Sequence, residues 1–208
     1  MNRILCYLPL MVCLSVTPVS AEEDSGWINM FNGKDLSGWK INEDPKAFRV
    51  EDGLLVVNGP RAHAFFIGDD GNANFKDFHF KADVMTTPGS NSGIYFHTKY
   101  LDSGWPDRGY EAQVNATHTD PKKTAGLYNV KDNFTSPVKD NEWFTYEIIV
   151  KGKHIVVKID GKTITDYTEP EDLDRPDRQL SSGRMALQAH DPKSKVLYKN
   201  LHVKPLSD

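Results

Sequence analysis

The chain has 208 residues, with 25 lysines and arginines against 29 aspartates and glutamates, a net charge of −4 and no basic run. That balance argues against nucleic acid or an anionic membrane surface as a partner. A mean hydropathy of −0.54 with 11% aromatic residues fits a folded, polar-faced protein rather than a disordered one.

The first stretch, MNRILCYLPLMVCLSVTPVSA (1–21), has one arginine before an apolar run and ends in Val19-Ser20-Ala21. This is the pattern of a secretory signal peptide cleaved after Ala21, which predicts a secreted or periplasmic protein. The apolar run is shorter than the ~20 residues of a spanning helix, so no membrane span is expected. Val12 before Cys13 is a poor fit to a lipoprotein signal, and lipid anchoring is not expected. Both cysteines, Cys6 and Cys13, lie in this segment. The rest of the chain therefore has no disulfide, no thiolate nucleophile and no cysteine-bound metal. A short leader (22–26) then precedes one domain, 27–208, long enough to build its own core.

From Trp27 the sequence reads as short strands separated by turn residues. WINMF (27–31) ends at Asn32-Gly33, and FRVEDGLLVV (48–57) breaks at Asp52-Gly53 into a hairpin. AFFIG (64–68) is a short buried run. FHFKADVM (78–85) alternates, with Phe78, Phe80, Ala82 and Val84 on one side. SGIYFHTKY (92–100) and GYEAQVNA (109–116) follow. WFTYEIIVKG (143–152), HIVVKID (154–160) and KTITDY (162–167) form a meander. GRMALQAH (183–190) and KVLYKNLHVKPL (195–206) close the chain. The one helical turn expected lies near Glu169–Leu173. Strands at this density without crossover helices predict an all-β, two-layer antiparallel sandwich. The long loops 99–109 and 117–141 are where function is expected on such a scaffold.

Period-two alternation sorts the side chains by face. In NSGIYFHTK, Ile94 and Phe96 share one side, leaving Asn91, Gly93, Tyr95 and His97 opposite. In GYEAQVNA the apolar residues Tyr110, Ala112 and Val114 leave Glu111, Gln113 and Asn115. In GRMALQAH the remainder is Gln188 and His190. Three strands thus offer amides, imidazoles and one carboxylate on their non-core side, and Trp105 in SGWPDRGY is a candidate stacking wall. Polar hydrogen-bonding groups beside flat aromatic surfaces suit a sugar. A solvated polar face is the ordinary state of an antiparallel sheet, and this competing reading carries equal weight on composition alone.

The chemistry available is narrow. Glycosidases of the usual kind need two carboxyls ~5–9.5 Å apart, and the strand here supplies one acid, Glu111, with two amides. Asp83 is a possible second acid from another strand. There is no G-x-S-x-G elbow, phosphate loop or dinucleotide fingerprint. His118-x-Asp120, with His97 or His190, is a candidate site for a divalent metal such as zinc or manganese, though a solvated loop histidine is the commoner meaning of that spacing.

Taken in order, FNGKDLSGW (31–39), NSGIYFHTK (91–99), GYEAQVNA (109–116), AGLYNV (125–130), NEWFTYEIIVKG (141–152), MALQAH (185–190) and KNLHVKPL (199–206) resemble the 3-keto-disaccharide hydrolase domain family. The resemblance spans Trp27 to Leu206 and implies a concanavalin A-like jelly roll. It further implies cleavage of a glycoside that already carries a ketone at C3. Such a ketone acidifies the C2 proton, so one base and a set of enolate donors suffice, with a divalent metal as an optional helper. On this resemblance Glu111 is the candidate base and His118 the alternative. Asn91, Tyr95, His97, Trp105, Gln113, Tyr128, Gln188 and His190 are the candidate substrate-binding residues, and an oxidised (3-keto) disaccharide is the expected partner. The competing functions are a non-catalytic carbohydrate-binding module and a scaffold whose polar face docks another exported protein.

Overall fold

The computed structural model describes residues 26–175 and 178–207. The expected signal peptide and most of the leader lie outside the described residues. Among the described residues thirteen strands follow in chain order: β1 (Ile28–Asn29), β2 (Trp39–Ile41), β3 (Phe48–Glu51), β4 (Leu54–Val57), β5 (Ala62–Phe66), β6 (Phe78–Thr86) and β7 (Ser92–Thr98). They continue with β8 (Tyr110–Val114), β9 (Phe144–Lys151), β10 (His154–Ile159), β11 (Lys162–Thr168), β12 (Arg184–Ala189) and β13 (Val196–Pro205). They form two antiparallel sheets packed face to face. One has eight strands in the order β11-β10-β9-β6-β13-β4-β3, with β1 added on β13; the other has five, in the order β2-β5-β12-β7-β8. No helix among the described residues is long and apolar enough to cross a membrane.

The alternation in β6 does what it predicts: Phe78, Phe80, Ala82 and Val84 are buried, while His79, Lys81 and Asp83 are not. They meet Ile94 and Phe96 of β7, Tyr110, Ala112 and Val114 of β8, and Met185 and Leu187 of β12 in one apolar core. Each of the larger side chains among them, such as Val, Leu, Ile, Phe and Met, stabilises the fold by about 1.5–3 kcal/mol through burial. Two expectations need correction. The turn near Glu169–Leu173 is not helical; a 3-10 turn forms instead at Pro45–Ala47, where Asp44 caps Lys46 N–H and Pro45 presets φ. Asp83 belongs to the eight-stranded sheet, where it accepts from Thr145 and Asn200, so it supplies no second acid to Glu111.

The outer face of the five-stranded sheet departs most from a solvated pattern. Every residue of β7 and β8 is buried, on both faces. Loops cover it. The segment after β8 folds back along that strand's free edge, with Ala125 N–H donating to Gln113 O, Gln113 N–H to Gly126 O and Tyr128 N–H to Glu111 O. This pairing protects an edge that would otherwise be open. Asn115 fastens the same loop: its Nδ2 donates to Asp120 O and Lys122 O, and its Oδ1 accepts from His118 N–H. The amide that looked like a ligand group is a loop clamp.

Candidate active site

Strand register brings the polar residues together. Gln188 lies opposite His63, Tyr95 opposite Glu111, and Gly93 opposite Gln113. The result is a hollow of ≈ 250 Å³ lined by Asn91, Tyr95, Trp105, Glu111, Gln113, Asp120, Tyr128, Arg178, Gln188 and His190. Seven of the substrate-binding candidates therefore share one cavity with Glu111; His97 does not.

Glu111 is at the floor, 5% exposed. Its Oε1 accepts from Gln188 Nε2 at 2.9 Å, and the same amide reaches Tyr95 Oη at 3.0 Å. The carboxylate can lie there because Gly93 has no side chain: a Cβ would overlap Oε1 and sit 3.0 Å from Cγ and Cδ. Burial raises the Glu111 pKa above the ordinary 4.5, against the lowering pull of the Tyr95 hydroxyl, the Arg178 charge and the Gln188 amide. Burial, with the Glu111 charge beside it, also pushes the Tyr95 phenol up, so it stays a proton donor.

His97 lies outside the hollow for a local reason. On β7 Tyr95 pairs with Ala186 and Thr98 with Arg184, so β7 carries one extra residue, and His97 takes up the bulge with φ 57°. Alternation breaks there. The ring turns away, donating from Nε2 to Lys76 O at 2.8 Å and accepting Ser181 N–H at Nδ1. It anchors the 169–183 segment. Glu169 anchors the same segment elsewhere, accepting from Tyr110 Oη at 2.5 Å and from Leu180 N–H at 2.7 Å. Between these anchors Arg178 enters the hollow, and its buried Nη1 has no hydrogen-bond partner among the described residues.

At the rim, His190 Nδ1 lies 2.9 Å from Asp191 Oδ2. Asp191 is fixed in turn. Burial pushes its pKa up, but the Ser194 hydroxyl, His190 and Lys193 N–H outweigh it and hold the carboxyl at about 2. A base oriented by a carboxylate is a recurrent catalytic arrangement. His118 stands beside His190, ring centroids 5.4 Å apart, and its Nδ1 accepts Asp120 N–H. Burial lowers the His118 pKa, with the neighbouring His190 charge acting the same way. Trp105, 43% exposed, forms a wall against His190 at 5.6 Å and His63 at 5.5 Å.

The metal candidate changes membership. Among the described residues, His118 groups with His190 and Asp191, not with Asp120 or His97, their ligand atoms lying within 4.8 Å of one another. Zinc at ~2.0–2.2 Å from its ligands needs them about 3.5 Å apart. Asp191 Oδ2 already accepts from the Ser194 hydroxyl and lies within hydrogen-bond distance of His190 Nδ1, the contact that commonly orients a metal-ligating or proton-transferring histidine.

Sequence reading missed His63, Arg178 and Asp191. His63 alternates with Phe65 on the outer face of β5, a signal that was available in AHAFF. Arg178 and Asp191 lie off the strands, where periodicity says nothing.

A jelly-roll sandwich with polar groups buried beneath an aromatic wall on one sheet is of the lectin and glucanase type. More narrowly, the chain matches the 3-keto-alpha-glucoside-1,2-lyase-like domain over residues 26–204 and belongs to that family. A search of curated proteins finds no match. A crystal structure from Parabacteroides distasonis, provisionally named a glycosyl hydrolase, is 24% identical and covers 88% of this chain and 94% of its own, with a TM-score of 0.73. A second from that organism, with the same provisional name, is 21% identical over 86% and 99% of the two chains, TM-score 0.67. A carbohydrate binding module from Bacillus subtilis is 13% identical over 81% and 96%, TM-score 0.56. At these identities the solved structures speak for the fold.

Proposed function

We propose that this protein is exported by its first 21 residues and cleaves 3-keto-glycosides by elimination and hydration. The observation that carries the reading is Glu111: one buried carboxylate of raised pKa, set among the donors Tyr95, Gln188 and Arg178. A raised pKa makes the ionised form a stronger base. Glu111 takes the C2 proton, and the C–H electron pair moves into a C2–C3 double bond, leaving an enolate oxygen at C3. Arg178 Nη1, without a hydrogen-bond partner among the described residues, neutralises that oxygen, and the Tyr95 hydroxyl is a second donor. As the enolate collapses, the C1–O bond breaks with its electron pair on the departing oxygen. His190, oriented by Asp191, supplies the proton. Water then adds across C1–C2 of the enone, oxygen to C1 and proton to C2, and the sum is hydrolysis. Trp105 and Tyr128 wall the ring, and Asn91 and Gln113 hold hydroxyls. A divalent ion held by His118, His190 and Asp191 would instead supply Lewis-acid stabilisation at the rim.

The test is turnover of a 3-keto-disaccharide in heavy-oxygen water, beside the unoxidised disaccharide. The expected result is label at C1 of the keto product and no reaction of the unoxidised sugar. No turnover of the keto substrate, with saturable binding of plain glycans, would establish the carbohydrate-binding role instead.

A further inference from the structure

His63 is wholly buried on the outer face of β5, yet neither ring nitrogen has a hydrogen-bond partner among the described residues. Its cross-strand neighbour Gln188 spends its Nε2 on Glu111 and Tyr95, but its Oε1 is equally unpartnered and buried. Orphaned polar atoms are costly inside a protein, and adjacent ones are not expected by accident. The imidazole is pushed down to about 4 by burial and is neutral near pH 7. It therefore has one donor and one acceptor, and Gln188 Oε1 adds a second acceptor.

What covers His63 is Trp105. The indole crosses the imidazole edge-on at 5.5 Å, lies 5.5 Å from the Arg61 guanidinium, and is 43% exposed. Tyr95 closes the other side at 5.4 Å. Gly104, just before the indole, holds φ +93°, a conformation that glycine reaches without strain, with open space around it.

We infer that a second polar subsite lies beneath Trp105, in which His63 and Gln188 Oε1 take a hydroxyl-bearing edge of the sugar as the indole swings from the imidazole onto the ring. This rests on the reading that the hollow binds a 3-keto-glycoside and extends it to a residue outside the cavity lining. His63 here is a binding residue; it takes no proton from the reacting carbons.

The experiment compares wild type with His63→Leu and His63→Gln on methyl 3-keto-α-glucoside and its 2-, 4- and 6-deoxy analogues. Calorimetric binding of the unoxidised methyl glucoside and its deoxy series runs in parallel. His63→Leu is expected to lower kcat/KM roughly 10- to 100-fold through KM, with kcat held within about threefold. For one deoxy analogue the variant and wild type should be equal, because the hydroxyl that His63 reads is gone. His63→Gln should recover part of the loss. His63→Leu should also melt no lower than wild type, since an unpaired polar group is replaced by an apolar one. Equal losses across all analogues, or no loss at all, would overturn the subsite while leaving the catalytic reading intact. An inactive wild type whose binding still shows the deoxy dependence would keep the subsite and remove the catalysis. Absence of both activity and binding would remove both.

Discussion

Replacing Gly93 with alanine tests the site through a single methyl group. Gly93 is not at a positive φ, so its backbone suits any residue, and the reason for glycine is its neighbour. The added Cβ would overlap Glu111 Oε1 and press on Cγ and Cδ, both 3.0 Å away, with the carboxylate already held by Gln188 Nε2 at 2.9 Å. Glu111 must rotate out and break that bond. Overpacking of this kind costs about 1–3 kcal/mol. Alanine in place of a strand glycine returns about 0.5–1 kcal/mol. The net destabilisation is about 0–2.5 kcal/mol, a drop of roughly 0–10 °C at about 2–4 °C per kcal/mol for a chain of this size. The protein therefore folds. On the proposed role of Glu111 catalysis suffers far more, because displacing a general base removes about 10²–10⁴ in rate. The measurements are a thermal melt and turnover of a 3-keto-glucoside on the same preparation. A variant that melts within that range and retains activity within about twofold of wild type would refute both the placement of Glu111 and its role.

Three further outcomes follow from the same geometry. Glu111→Gln should melt higher than wild type at pH 7. A carboxyl whose folded pKa is raised gives full stability below its ordinary 4.5 and loses it as pH rises through the raised value, so the gain should vanish near pH 4 in melts across that window. His63 has the opposite sign: a folded pKa of about 4 against 6.5 means stability is complete above pH 6.5 and is lost as pH falls toward 4. The difference is about 3 kcal/mol at 1.36 kcal/mol per pKa unit, and denaturant titrations of His63→Leu should lack that part of the slope. His97→Ala removes the acceptor of Ser181 N–H and a donor to Lys76 O and should lower stability by about 1–3 kcal/mol, with a rise in KM as the Arg178 segment loosens; an unchanged KM would detach that segment from the site.

The apolar half of this fold was legible because burial writes itself at period two. Phe78 to Val84 and Tyr110 to Val114 needed no more than alternation, and a chain with so few helical signals had few architectures open to it. The polar half was ambiguous for a physical reason. Glu111, Gln113 and Gln188 alternate as residues on a wet face would, and the pattern cannot say whether water or a loop lies above them. What decides it is the return of 117–131 along β8 and of 169–183 over β7, held by Asn115, Glu169 and His97. Each holding contact pairs a side chain with a backbone group distant in sequence or hidden in a loop, and such pairs leave no periodic trace. His97 shows the limit most sharply: one inserted bulge residue reverses its face, and no count of alternate positions reveals a bulge.

Those loops also change what the polar residues are. A carboxylate on a wet sheet has an ordinary pKa and weak partners, whereas Glu111, in a hollow lined also by Trp105, Tyr128 and Arg178, has its pKa raised by burial. The proposed catalysis thus depends on the loop roof as much as on the strands. The chelation experiment separates the two ways of using that roof. If His190 carries a proton held by Asp191, exhaustive removal of divalent metal should leave turnover within about twofold, and Asp191→Asn should cost about 10²-fold or more through the misdirected imidazole. Loss of activity on chelation, restored by zinc or manganese, would mean that His118, His190 and Asp191 close on an ion instead, and that the hydrogen bond from His190 to Asp191 gives way during the reaction.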